Sequence, residues 1–241
     1  MKKFQPQNFI AQLSVDCVIF GYKDKKLKVL ISKIVFGNDF WSLPGGFILK
    51  NEGIDDAAKR VLQERTSLTD IFLEQFHVFG NTDRSNNDLF GKMPETNDET
   101  FTEKGFSKND FEWLSNRFVS IGYYALVDID KVKPKKGELD ECVEWVEISE
   151  LPKLIMDHNL IAQKALLALR QNLDQKLIGF NLLPDTFTMR EVQELYEAIY
   201  DKPFARNNFQ KKILDLGVLE RLEKKFTGAA NKAPYLYRFL K

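Results

Sequence analysis

Apolar residues come in short alternating or continuous runs over the first two thirds of the chain and settle into a helical rhythm near its end. Residues 12–21 (QLSVDCVIFG) are rich in β-branched and aromatic side chains and stop at Gly21, which predicts a strand. KLKVLISKIVF (26–36) predicts a second strand, with the lysine-rich DKK before it as a hairpin turn. WSLPGGFI (41–48) reads as a short strand broken by Pro44 and two glycines. Over 54–65, Ile54, Ala57, Ala58, Val61 and Leu62 recur on one face of a helix. QFHVFGNTDR (75–84), RFVSIGYYALVDID (117–130) and ECVEWVEI (141–148) predict three more strands. The polar stretch 85–110 between them reads as a long loop or insertion.

A long amphipathic helix follows over 151–173, with Leu154, Ile155, Ile161, Ala165, Leu166 and Leu169 on its apolar face. The Gly, Pro and Asp of IGFNLLPDTF (178–187) mark a domain boundary. Beyond it, Thr188 and Glu191 have the spacing of a capping box at the start of a helix over 188–200. A second helix over 205–217 ends at Gly217. A charged turn and the β-like YLYRFLK close the chain. Helix, helix, basic turn and strand fit a winged helix-turn-helix. The expected division is a first domain over 1–150, a linker helix over 151–178 and the winged helix over 179–241.

With 241 residues, 44% hydrophobic and 29% charged, the chain excludes disordered and low-complexity classes. No run approaches the ~18 apolar residues of a membrane span, and the start has no apolar export segment. Cys17 and Cys142 lie in strand-like runs and give no disulfide framework, so a reducing cytoplasm without membrane attachment is expected. A net charge of zero hides an asymmetry. From Lys202 onward ten basic residues face three acids, a charge of +7 on an acidic body of −7. A basic end of this kind is the footprint of a nucleic-acid-binding module.

Gly46, Glu52 six residues later, Arg60 eight after that and Glu64 four further resemble the Nudix box, G-x5-E-x7-R-E-U-x-E-E-x-G-U with U aliphatic. The resemblance covers roughly residues 10–150. It implies an α/β/α sandwich with a mixed sheet, within an α+β chain, and a loop-helix-loop whose glutamates bind a divalent metal. The departures fall on the chemistry. Val61 and Arg65 stand where the pattern has glutamates, and Ser67 stands for its glycine. Mg²⁺ requires clustered carboxylate oxygens, so neither a metal nor another cofactor is expected, and no catalytic residue. Glu52, Arg60 and Glu64 are expected to form an ion-pair network that ties the loop to its helix. An active hydrolase of ADP-ribose-type substrates is the alternative.

The C-terminal third resembles that of Nudix-related transcriptional regulators, in which a noncatalytic Nudix-like domain senses a ligand and a winged helix binds DNA. The resemblance implies a homodimer on a palindromic operator of double-stranded DNA. The second helix of such a motif enters the major groove, where Arg reads guanine and Asn or Gln reads adenine. Arg206, Asn207, Asn208 and Gln210 are the base-reading candidates, and Lys211 and Lys212 the phosphate contacts. Thr188 and Arg190 are candidates at the start of the preceding helix, and Lys224, Lys225 and Lys232 on the wing. Phe209, Ile213, Leu214 and Leu216 are expected to hold the helix on Val192, Leu195 and Tyr196.

Ligand candidates are polar residues on apolar strands, Asp16, Asn81, Asp83 and Arg84, and rings that could stack on a ligand, Trp41, Phe47 and Tyr124; a strand-end hydrogen bond for Asp16 and core packing for Trp41 are the alternatives. His77 and His158 have no ligand spacing around them. Members of the family sense ADP-ribose in NAD metabolism or sugars such as L-arabinose. Outside the box, Arg84 and Arg117 are the only arginines before residue 150. That scarcity, with the insertion at 85–110 that resembles arabinose-responsive members of gut bacteria, points to a sugar effector that releases a repressor from DNA. An ADP-ribose-sensing regulator is the alternative.

Overall fold

The computed structural model describes residues 4–35, 39–84, 106–137, 139–173, 182–225 and 233–240. The strand β1 (Phe9–Lys23) carries eight consecutive buried positions, because both of its faces are covered, and runs through the middle of a seven-stranded sheet. It pairs antiparallel with β2 (Lys26–Ile34) through the Asp24–Lys25 turn, and parallel with β6 (Val119–Val127) in unbroken register from Leu13–Val119 to Gly21–Val127. Beyond β2 lie β3 (Trp41–Ser42) and β7 (Asp140–Glu147), and beyond β6 lies β5 (Phe72–Phe79). β4 (Gly45–Leu49) pairs with the first half of β1, so the run 41–48 is two strands divided at Pro44. One parallel pair among antiparallel ones makes the sheet mixed.

Helix α1 (Ile54–Thr66) buries Ala57, Ala58, Val61 and Leu62 against Val15, Cys17, Ile19, Ile121, Tyr123 and Ala125 on one face of the sheet. Helix α3 (His158–Asn172) covers the other face. A helix absent from the sequence-based expectation, α2 (Lys108–Ser115), lies at the end of the polar stretch. Its Ser107–Asp110 capping box supplies the start that its eight residues could not supply by periodicity. The remainder of the stretch lies outside the described residues.

Helix α3 begins at His158, not Leu151. Leu154 instead bridges to Trp41, and Met156 takes φ 48, which no helix accommodates. The strands expected at 75–84 and 117–130 end at Phe79 and Val127, where turns take over. The winged helix contains β8 (Phe187–Thr188), α4 (Met189–Tyr200), α5 (Arg206–Asp215), β9 (Leu219–Lys224) and β10 (Tyr235–Phe239), with a three-stranded sheet in the order β8–β10–β9. Thr188 caps α4 through the box with Glu191, and Gly217 takes φ 67 just past α5. Both positions are legible as signals in the sequence.

One apolar cluster runs without a break through both domains. It joins Val18, Phe20, Leu27, Val29 and Tyr124 of the sheet to Ile161, Ala165 and Leu169 of α3, and these to Val192, Leu195, Phe209, Ile213 and Tyr237.

Candidate DNA interface and sensor cleft

The loop before α1 and the helix itself are tied together by Arg60. Its Nε donates to Glu52 Oε2 at 3.0 Å, its Nη2 to Glu52 Oε1 at 2.7 Å and to the Phe47 carbonyl at 2.9 Å, and its Nη1 to Glu64 Oε1 at 3.4 Å. Glu52 Oε1 also accepts from the Leu49 N–H at 2.8 Å. These bonds, the Arg60 pair first among them, hold the Glu52 carboxyl below the usual carboxylate range. Gly46 packs so close to Val61 that a Cβ would meet its Cγ2 at 2.6 Å.

The two residues that stand in place of box glutamates are not surface replacements. Val61 is buried beneath the sheet, and Arg65 reaches across to the buried carboxylate of Asp140. Both oxygens of Glu52 are already engaged by donors, so this donor set does not fit a divalent cation. Among the described residues no three His, Cys, Asp or Glu side chains come together as a metal site.

The ligand candidates divide. Asp16 and Arg84 face each other inside the protein rather than a cleft: Arg84 Nη2 donates to Asp16 Oδ2 at 3.0 Å, and Ser120 Oγ donates to the same oxygen at 2.6 Å. Asp157 and the Phe118 carbonyl take the remaining reach of Arg84, each at 2.9 Å. Burial overrides their apparent availability, because an internal charge must be paired where it lies. Tyr124 is fully buried in the apolar cluster, with its hydroxyl on Glu74 and Asn172, so it offers no stacking surface. Trp41 packs on the same cluster, its Nε1 donating to Asp39 at 3.0 Å. Asn81 and Asp83 are exposed in the turn after β5.

Phe47 alone sits at an aromatic surface beside the box loop. It meets Trp113 edge-on at 4.8 Å and touches Phe4, Phe9 and Phe118. An open pocket of about 460 Å³ lies against this cluster, walled by Phe4, Pro6 and Trp113 and by the polar Gln5, Gln7, Ser107, Asn109 and Asp110, with the Ser107 hydroxyl and the Asp110 carboxylate engaged in the cap of α2. Sequence reasoning missed Trp113 and Phe4, since nothing in their local pattern ties them to the box. His158 is buried, accepts from the Leu43 N–H at 3.0 Å, and is held below the ordinary imidazole value by burial. His77 is exposed, 3.0 Å from Lys164.

In the winged helix, Phe209 and Ile213 anchor α5 on α4, leaving Arg206, Asn207, Asn208, Lys211 and Lys212 exposed along the rest of the helix. Gln210 is half-buried. Leu214 and Leu216 are exposed rather than core: the 3.6-residue turn carries Leu214 away from the Phe209–Ile213 line, and Leu216 is the cap residue just past the end of α5. Thr188 is also corrected: it is buried and its hydroxyl exchanges hydrogen bonds with Glu191, so it has nothing to offer a phosphate. Arg190 is exposed and pairs with Glu194 at 2.9 Å. Lys225 reaches Glu191 at 3.3 Å, and Lys232 lies outside the described residues. Lys224 and Arg221 both lie over the Tyr235 ring, at 5.5 and 4.4 Å. Arg221 was missed, because charge alone does not show which wing cations are braced on an aromatic face.

A mixed sheet between helices, joined through a common core to a two-helix unit with an exposed basic and amide face, defines a class: a DNA-binding regulator built on a Nudix fold. Residues 11–168 match the NUDIX domain and residues 179–239 the NrtR DNA-binding winged helix domain, and the chain belongs to the NUDIX family. The ADPR responsive transcriptional repressor NtrR of Acinetobacter baylyi is 26% identical over 99% of this chain and 86% of its own length. The crystal structure of Shewanella oneidensis NrtR is 25% identical with a TM-score of 0.67, covering 95% of this chain and 94% of that one. A MutT/nudix family protein from Enterococcus faecalis shares the fold at 19% identity and a TM-score of 0.66, over 99% of this chain and 88% of its own. Among the described residues no helix is long and apolar enough to cross a membrane.

Proposed function

We propose that the protein is a cytoplasmic transcriptional repressor that binds double-stranded operator DNA and is released by ADP-ribose. The observation that carries this is the exposed face of α5, where Arg206, Asn207, Asn208, Lys211 and Lys212 stand clear of the core that Phe209 and Ile213 fill. Arginine and asparagine are the side chains that read base edges in the major groove, and lysines neutralise phosphates. Arg221, Lys224 and Lys225 extend the same charge along the wing. Two-fold pairing of such motifs matches half-sites about one helical turn apart, which supports the reading of a homodimer on a palindrome.

The effector is assigned from the Acinetobacter relative, whose name specifies ADPR. The sugar expected from the scarcity of arginines finds no support in the relatives named above. The aromatic pocket beside the box, lined by Phe4, Trp113 and three amide side chains, offers stacking and hydrogen bonds to a base. With Val61 and Arg65 standing where the box pattern has glutamates, the Nudix domain acts as a receptor and not as a hydrolase.

Fluorescence anisotropy of the full-length protein on a duplex selected from a random-sequence pool tests the function. ADP-ribose should weaken DNA binding about 5- to 150-fold, the usual span of coupling between two sites. DNA binding that ignores ADP-ribose would remove the effector, and hydrolysis of ADP-ribose to AMP with Mg²⁺ would restore the enzyme alternative.

A further inference from the structure

We propose that Arg84 is the positioning residue through which the Nudix domain and the DNA-binding domain sense one another, with α3 as the rod between them. This inference rests on the regulator function proposed above. The Arg84 side chain is 2% exposed and holds three separate elements: Asp16 of β1 at 3.0 Å, the Phe118 carbonyl just before β6 at 2.9 Å, and Asp157, the residue that precedes α3, at 2.9 Å. The start of α3 is stitched further to the β3–β4 segment, by the Leu43 N–H to His158 Nδ1 at 3.0 Å and the Ile155 N–H to the Trp41 carbonyl at 2.8 Å.

On the cleft side, Asp16 pairs across the sheet with Gly45 so closely that a Cβ there would lie 2.6 Å from its Oδ1. Two residues later, the Phe47 carbonyl receives Arg60. The three residues Gly45–Phe47 therefore stand between the box network and the Arg84 network. At the far end of α3, Arg170 Nε donates to the Ile199 carbonyl at 2.7 Å, and the Tyr200 hydroxyl donates to the Arg170 carbonyl at 2.9 Å, both at the end of α4. Between these ends Ile161, Ala165 and Leu169 are fully buried.

A helix bonded directionally at both ends and close-packed between them moves as one body, because packed interiors shift between discrete arrangements rather than deform. Stability alone does not account for the cluster. Two carboxylates share one buried guanidinium, and well-packed apolar residues of similar volume often match or exceed a buried ion pair in stability. What apolar residues would lack is the directional link between three elements.

The test is hydrogen exchange on the full-length protein, free and bound to the selected duplex. DNA should slow exchange about tenfold not only in α5 but at the Leu43 and Ile155 amides. Asp157→Asn keeps the side-chain shape and the Asp16–Arg84 pair, and it should bind DNA within about twofold of wild type while losing the distant protection. Tyr200→Phe, which deletes one hydrogen bond at the opposite end, should do the same. Protection confined to the winged helix in the wild-type protein, or distant protection that survives both substitutions, overturns the inference. ADP-ribose has no part in this readout, so a different effector would leave the coupling through Arg84 standing. A chain that selects no duplex at all removes the regulator and the coupling together.

Discussion

Restoring the two missing glutamates, Val61→Glu and Arg65→Glu, should destabilise the fold without producing a hydrolase. Val61 is 1% exposed between the sheet and Gly46, so the first change forfeits about 1.5–3 kcal/mol of apolar burial. It also places an unpaired carboxylate in the core, which adds several kcal/mol. The second change strips the buried Asp140 of Arg65 and sets a like charge in its place, a loss of about 3–5 kcal/mol. Each change alone is comparable to a sizeable share of the ~5–15 kcal/mol that holds a typical domain together. For a chain of this size each kcal/mol moves the Tm by about 2–4 °C, so either single variant should melt roughly 6–20 °C lower. Differential scanning calorimetry measures the Tm, and AMP release from ADP-ribose with Mg²⁺ measures activity. A double variant that melts within about 2 °C of wild type and hydrolyses ADP-ribose would refute the claim that the box was rebuilt as packing.

Lys211→Ala should weaken DNA binding and lower the salt slope by about 1, measured by anisotropy between roughly 50 and 200 mM salt, and an unchanged slope would take Lys211 off the phosphates. Arg206→Ala should cost about 1–3 kcal/mol and relax the sequence preference, and an unchanged preference would take Arg206 off the bases. Leu169→Ala, in the core common to both domains, should cost about 2–5 kcal/mol. Calorimetry should show one shifted transition, and a separate early transition of the winged helix would contradict the common core. Burial holds His158 below its ordinary value, so below about pH 6.5 the unfolded chain takes up a proton that the folded one refuses. That contribution to stability is therefore lost as pH falls, by up to ~1.4 kcal/mol per pH unit. His158→Asn, which keeps an acceptor for the Leu43 N–H, should flatten the slope between urea melts at pH 7.5 and 5.5, values chosen about a unit either side of the ordinary one; parallel slopes in the two proteins would refute it.

The elements that sequence made legible are those whose signals are local. The β-branched and aromatic run of β1, the apolar stripe of α1, the Thr188–Glu191 box and the glycine after α5 each act within a few residues. The candidate site divides on the same ground. The face of α5 follows from helix periodicity, yet Leu214 and Leu216 lie exposed, because hydrophobicity alone does not fix burial. Asp16 and Arg84 stand out as polar residues among strands, but they are 68 residues apart in the chain, and only the fold shows that they satisfy each other. Similar separation hides the pairing of Arg65 with Asp140, and that of the Phe4 and Trp113 rings. The start of α3 goes the other way: the hydrophobic rhythm continues back to Leu151, and tertiary bonds to Trp41 and Leu43 override it.

The core common to both domains has a further consequence at the ribosome. The first hairpin presents Val18, Phe20, Leu27 and Val29 on one face, and the residues that cover it come from α3, α4 and, at the far end of the chain, Tyr237. At about 5–20 residues per second, that face emerges on the order of ten seconds or more before its last cover is made. During that interval the nascent chain carries an open apolar sheet, which invites association between neighbouring chains or capture by a chaperone. A stop codon placed after α3 would leave the part of that face which α4 and Tyr237 cover exposed for good, so the Nudix portion synthesised alone should aggregate more readily than the full chain.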